Sequence, residues 1–156
     1  MRLYLPATLD ELTATTEGDA LLAGRTAHAV TQALRAALPD EDEEGWEFAA
    51  HLAAADDSLD LLRSRPEAPA LRLVVTVDVP DDAVDAVNPG QPGAMPSAVL
   101  LTRAATLAEV ACVHVDEPAV AGDVRAALSG DVAADERVAE ADLLWYDVSE
   151  IGDIPT

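Results

Sequence analysis

Cys112, His114 and Asp116 alternate along a predicted strand, which projects a thiol, an imidazole and a carboxylate from one face at intervals of roughly 6.6 to 7 Å. These are the donor types of a zinc site, or of a nucleophile beside its base. Immediate neighbours at that spacing stand too far apart for a direct hydrogen bond, and the plainer account is a half-exposed sheet face. A second set, Glu44, Glu47 and His51, falls near one side of a predicted helix. It lacks the Glu-x-x-His repeat of di-iron bundles, and its plainer account is a surface histidine packed under a loop.

His28 lies in Thr26-Ala-His-Ala-Val-Thr31, an irregular segment of the kind on which functional residues collect. There it is a candidate catalytic or ligand-binding group. Arg25 or Arg103 would pair with an anionic substrate group, because a guanidinium fork matches a carboxylate or phosphate. The structural alternative is a side-chain bond that ties down this extended stretch. No metal site and no cofactor is predicted.

The exclusions are firmer. All nine basic residues are arginine, set against thirty Asp and Glu for a net charge of −21. Without lysine there is no Schiff base, no pyridoxal phosphate anchor and no phosphate-loop lysine. Cys112 is the sole cysteine, so no intrachain disulfide can form. The chain has no G-x-S-x-G, G-x-G-x-x-G, H-E-x-x-H or EF-hand pattern. Asp40 to Glu44 has the charge for a divalent cation but not the ligand order of a calcium loop, and reads as a solvated run or as the acidic start of a helix. The acidic excess opposes nucleic acid or anionic lipid as a partner. No stretch approaches the roughly 20 apolar residues that span a bilayer, and Met1 to Pro6 lacks the features of a signal peptide. A cytoplasmic protein is expected.

The elements that must position these groups follow from pattern. Arg2 to Leu5 reads as a strand stopped by Pro6, and the Thr8-Leu-Asp-Glu11 capping box opens a helix over Leu9 to Thr15. Thr31 caps a second helix that ends near Leu38. In a third helix Phe48, Leu52, Ala55, Leu59 and Leu62 form an apolar stripe. Leu71 to Val79 alternates as a strand with one buried face. Asp81 to Val87 reads as a helical turn, and residues 88–96 as a proline- and glycine-rich loop. Ser97 to Thr102 and Ala111 to Asp116 are strands, Gly122 to Leu128 is a short helix, and a charged, alanine-rich stretch leads to a last strand over Leu143 to Val148.

This order predicts a single α+β domain over residues 1–156. Its sheet is mixed or mainly antiparallel, of four to five strands in a split βαβ-like arrangement, with helices mostly on one face.

Four segments, Arg2-Leu-Tyr-Leu-Pro-Ala-Thr8, Thr26-Ala-His-Ala-Val-Thr31, Val113-His-Val-Asp116 and Leu143-Leu-Trp-Tyr146, together resemble a family of small acidic proteins of unknown function from actinomycete bacteria. The resemblance spans nearly the whole chain and implies no activity, cofactor or site residue.

Three functions fit these observations. The leading one is a non-enzymatic interaction or regulatory domain whose acidic surface engages a basic or cation-coated protein partner or simply keeps the chain in solution; an exposed Trp145 or Tyr146 beside an uncovered strand edge would suggest a homodimer. The others are an anionic-ligand binder or enzyme around His28, and an acidic mimic of nucleic acid. Arginines consumed in surface ion pairs favour the first. An unpaired arginine beside His28 in a pocket favours the second.

Overall fold

Strand β1 (Arg2–Ala7) has Leu3, Leu5 and Ala7 in one core and Tyr4 in another, so each of its faces has to be covered. The computed structural model describes residues 1–13, 20–22, 24–87 and 95–155. The elements after β1 are α1 (Leu9–Thr13), β2 (Ala20–Leu21), β3 (Thr26–His28), α2 (Gln32–Ala37), α3 (Glu43–Arg63), β4 (Leu73–Asp78), β5 (Val84–Ala86), β6 (Ala98–Leu101), β7 (Ala105–Thr106), β8 (Val110–Asp116), α4 (Ala121–Leu128), α5 (Val132–Glu140) and β9 (Leu143–Tyr146). The end of the first predicted helix and residues 88–94 of the proline-rich loop lie outside the described residues.

Seven strands form one sheet in the order β5-β6-β3-β1-β4-β8-β9, while β2 and β7 pair in a small separate ribbon. Every neighbouring pair in the large sheet is antiparallel. Since β3 and β4 both run against β1, they are parallel to each other, and the α2–α3 crossover between them straddles β1 as a split βαβ unit. The expectation of four to five strands is therefore corrected to seven. The strands that sequence pattern undercounts are β3 and β5, three residues each, which are too short to show alternation and are defined by the strands beside them.

The single buried face expected for the Leu71 to Val79 strand is also corrected. Both faces of β4 are buried, and Arg72, just before it, is 2% exposed. Leu73, Val75 and Val77 meet Leu3, Leu5, Val113 and Val115 in the larger core. On the other face Val74 packs with Tyr4, Leu34, Ala50 and Ala54 beneath the helices. Pro6 does not stop β1. Its carbonyl accepts a hydrogen bond from Arg25 Nη1 at 2.7 Å, just where pairing with β3 ends.

Helix α3 is capped by Asp42, which accepts from the Gly45 amide, with Glu43 and Glu44 in the first turn at the positive end of the helix. The predicted stripe is right at its C-terminal end and wrong at its start. Leu59 and Leu62 are buried, whereas Phe48 and Leu52 are exposed and Ala50, Ala53, Ala54 and Ala55 take the inward face. Small side chains let the helix approach the sheet closely. There Ser58 Oγ donates to the Ala7 carbonyl at 2.7 Å and accepts from the Leu73 amide at 2.9 Å, tying α3 to β1 and β4.

The charged, alanine-rich stretch after Asp131 is a helix. Asp131 caps α5 through the Ala133 and Ala134 amides. Gly130, at φ +94, closes α4 with its amide on Ala127 O while the Asp131 amide reaches Ala126 O, the paired bonds of a glycine C-cap. The α4–α5 pair then packs on the C-terminal half of α3 through Val124, Ala127, Ala134, Val138, Leu59 and Leu62.

Candidate functional site

The pairing register brings the two weak sequence constellations together. Tyr4 lies opposite Thr76, Thr76 opposite Cys112, Val74 opposite His114, and His114 opposite Trp145. Alternation places all of them on the helix-covered face of the sheet. Above them α3 presents Glu44, Glu47, Phe48, His51 and Leu52, the end of α5 adds Glu140, and the link into β9 adds Asp142. The result is a groove of about 730 Å3 between α3 and the β8–β9 edge. The β4–β8 ladder slips between Thr76 and Val77, beside Cys112. Irregularities of this kind re-aim side chains and are frequent beside sites.

The groove has a polar but uncharged floor. The His51 ring meets His114 edge-on at 4.5 Å and Tyr4 at 5.8 Å. Burial, then His114 and Arg72, push His51 down to about 4, and burial lowers His114 as well. Both rings are therefore neutral at pH 7. Burial, then Glu47, pushes the Tyr4 phenol up to about 12, so it too is uncharged. Among the described residues, His51 Nε2, His114 Nδ1 and Thr76 Oγ1 are buried without a hydrogen-bond partner, and Thr76 is 3% exposed. A buried polar atom left unpaired costs about 1–3 kcal/mol, which is a standing incentive for a ligand or water to supply the bond.

The walls differ from the floor. Trp145 on the sheet side is 58% exposed and Phe48 on the helix side is 60% exposed. Glu44, Glu47, Glu140 and Asp142 line the same groove, and its one guanidinium, that of Arg2, is held by Asp78 at 3.0 and 3.1 Å.

Asp116 shares the face of Cys112 and His114 but not their groove. It is buried against Arg72, which donates from Nη2 to Oδ1 at 2.8 Å, from Nε to Oδ2 at 3.0 Å and from its own amide to Oδ2 at 2.8 Å. Arg72 Nη2 also holds the Ala141 carbonyl at 3.0 Å. With its oxygens so occupied, Asp116 does not orient His114, and the structure does not assemble a thiol, imidazole and carboxylate relay. Among the described residues no three His, Cys, Asp or Glu side chains are grouped so as to hold a metal ion.

The structure places His28 in the interior at 1% exposure. Its Nε2 is 3.0 Å from Asp57 Oδ2 and its Nδ1 is 2.8 Å from Ser97 Oγ. A carboxylate only accepts, so Nε2–H donates to Asp57; in the neutral imidazole Nδ1 then accepts from the Ser97 hydroxyl. These are the three residue types of a hydrolase triad, yet Ser97 is 2% exposed and its hydroxyl is out of reach of a substrate. The bonds instead join β3, α3 and the start of β6, which is the tie that the alternative reading of this segment describes. Nothing in linear spacing connects Ser97 and Asp57, 69 and 29 positions away, with His28.

Arg25 and Arg103 do not join His28. Arg25 pairs with Glu11 at 2.8 Å beside a cavity of about 440 Å3 lined by Asp57, Asp60 and Ser64. Arg103 pairs with Glu109 at 2.6 Å. The other arginines follow suit: Arg2 with Asp78, Arg35 with Glu43, Arg63 with Asp60, Arg65 with Asp10, Arg72 with Asp116 and Arg137 with Asp123. Arg125 alone has no ion pair among the described residues.

No helix among the described residues is long and apolar enough to cross a membrane. No curated protein and no solved structure matches the chain. A family model does match, over residues 1–154, and by that match the chain belongs to the family of unknown function DUF6912.

Proposed function

We propose that the protein is a non-enzymatic interaction domain that engages a basic protein partner through the groove between α3 and the β8–β9 edge. The observation that carries this reading is the combination of an uncharged floor with unpaired polar atoms, two exposed aromatic walls and four carboxylates in one concavity. A cation suits such a place, since an aromatic face attracts positive charge by about 0.5–2 kcal/mol and carboxylates add charge-assisted hydrogen bonds. The pairing of eight of the nine arginines with Asp or Glu speaks against an anionic ligand. A second copy of the chain is a poorer partner than a basic protein, because it brings the same excess of carboxylates to the interface.

The test is an amide and indole NMR titration with short basic, neutral and acidic peptides. Binding of the basic peptide alone moves the Trp145 indole signal, weakens as salt is raised and is reduced by Glu47→Gln. An unmoved Trp145 signal at millimolar basic peptide overturns the proposal.

A further inference from the structure

We infer that the group the groove takes is the guanidinium of an arginine on an exposed segment of the partner protein, an inference that rests on the cation-binding reading above. Three features select guanidinium over ammonium. The exposed flat rings, Trp145 and Phe48, offer stacking surface that a planar, weakly hydrated guanidinium uses and a compact, strongly hydrated ammonium does not. The acceptors are spread around the groove rather than gathered at a point. Glu44 and Glu47 come from one wall and Glu140 and Asp142 from the other, with Thr76 Oγ1 and the imidazole nitrogens on the floor. Five N–H donors in a fixed plane suit carboxylates that stand on opposite walls. The floor is neutral, so it accepts a cation without repelling it.

The third feature is a precedent on the same helix. Arg35 lies over the Trp46 ring, 4.3 Å from its centroid, while its guanidinium pairs with Glu43 at 2.9 Å. There the chain holds its own guanidinium between an indole and a glutamate of α3. The groove repeats those parts, with Trp145 and Glu47 facing a space that no arginine of the chain fills: Arg2, the one that lines it, is engaged by Asp78.

The experiment compares two uncharged-backbone peptides, Gly-Gly-Arg-Gly-Gly and Gly-Gly-Lys-Gly-Gly with blocked ends, and free arginine, each titrated against the full chain with Trp145 fluorescence and NMR as readouts. The arginine peptide is expected to bind about tenfold more tightly than the lysine peptide. Trp145→Ala and, as a milder change that leaves the strand intact, Glu47→Gln each remove most of that preference. Equal affinities for the two peptides overturn the guanidinium inference while leaving cation binding in place. Free arginine binding as tightly as the arginine peptide overturns the assignment to a protein segment. Failure of every cation to bind overturns this inference and the reading beneath it together.

Discussion

Arg72 and Asp116 form a two-stranded ion pair sealed inside the protein, with Nη2–Oδ1 at 2.8 Å and Nε–Oδ2 at 3.0 Å and side chains 2% and 0% exposed. Because the Arg72 amide also bonds Asp116 and the guanidinium bonds Ala141, the pair fastens the approach to β4, the end of β8 and the link into β9. That link forms one wall of the groove, so a pair remote from any ligand holds the site in shape.

Breaking this pair from one side is expected to be costly. Asp116→Leu leaves a buried guanidinium uncompensated and should lower stability in urea by about 3–5 kcal/mol. Replacing both residues, Arg72→Met with Asp116→Leu, restores most of that loss, because neither charge then has to be desolvated. A double variant no more stable than the worse single one contradicts this account.

Ser58 serves β1 and β4 with one hydroxyl. Ser58→Ala leaves the Leu73 amide and the Ala7 carbonyl short of a partner and is expected to cost about 1–3 kcal/mol. Hydrogen exchange should locate the damage, with the Leu73 amide losing protection relative to the rest of β4.

Stability should fall as pH falls between about 6.5 and 4. His51 binds a proton less readily when folded, at about 4, than when unfolded, near 6.5, so acid favours the unfolded chain across that window. His114 acts in the same direction. Carboxylates held low by arginines, such as Glu109 at about 2 beside Arg103, release their stabilisation only at lower pH. Urea titrations of His51→Gln should show a shallower slope between pH 6.5 and 4.5 than the parent. An unchanged slope places the titrating group elsewhere.

His28→Ala should destabilise the fold, since it opens a cavity and strips the Ser97 hydroxyl and Asp57 of their partner. The expected loss is about 2–4 kcal/mol. Binding of the arginine peptide in the groove should be unchanged at temperatures where the variant is folded. Loss of binding with intact stability would instead make His28 part of a ligand site.

Local signals were legible wherever a few neighbouring residues decide the outcome. The Thr31 cap forms where pattern places it, and Glu11 accepts from the Thr8 amide as the capping box there requires. Long alternation identified β4 and β8. Pattern failed where the partner decides: the three-residue strands β3 and β5, and the inward face of α3, where Ala50 and Ala54 displaced Phe48 and Leu52 because close approach to the sheet outweighed side-chain size. Pattern does not reveal helix α5, because alanine and charge alone carry little period, although Asp131 ahead of Val-Ala-Ala is an N-cap signal.

What the sequence by itself determined is chemical inventory: no lysine chemistry, no disulfide, a strongly acidic surface and an α+β succession of elements. Membership of each constellation needed the tertiary structure. Cys112 and His114 parted from Asp116 because Arg72, 44 residues earlier, claimed the carboxylate. They joined His51, Glu44 and Glu47 because α3 crosses that face of the sheet. His28 passed into the core because Asp57 and Ser97 converge on its ring from two other elements. Each outcome depends on a pairing register and a helix position set by burial over the whole molecule, which spacing along a single segment does not encode.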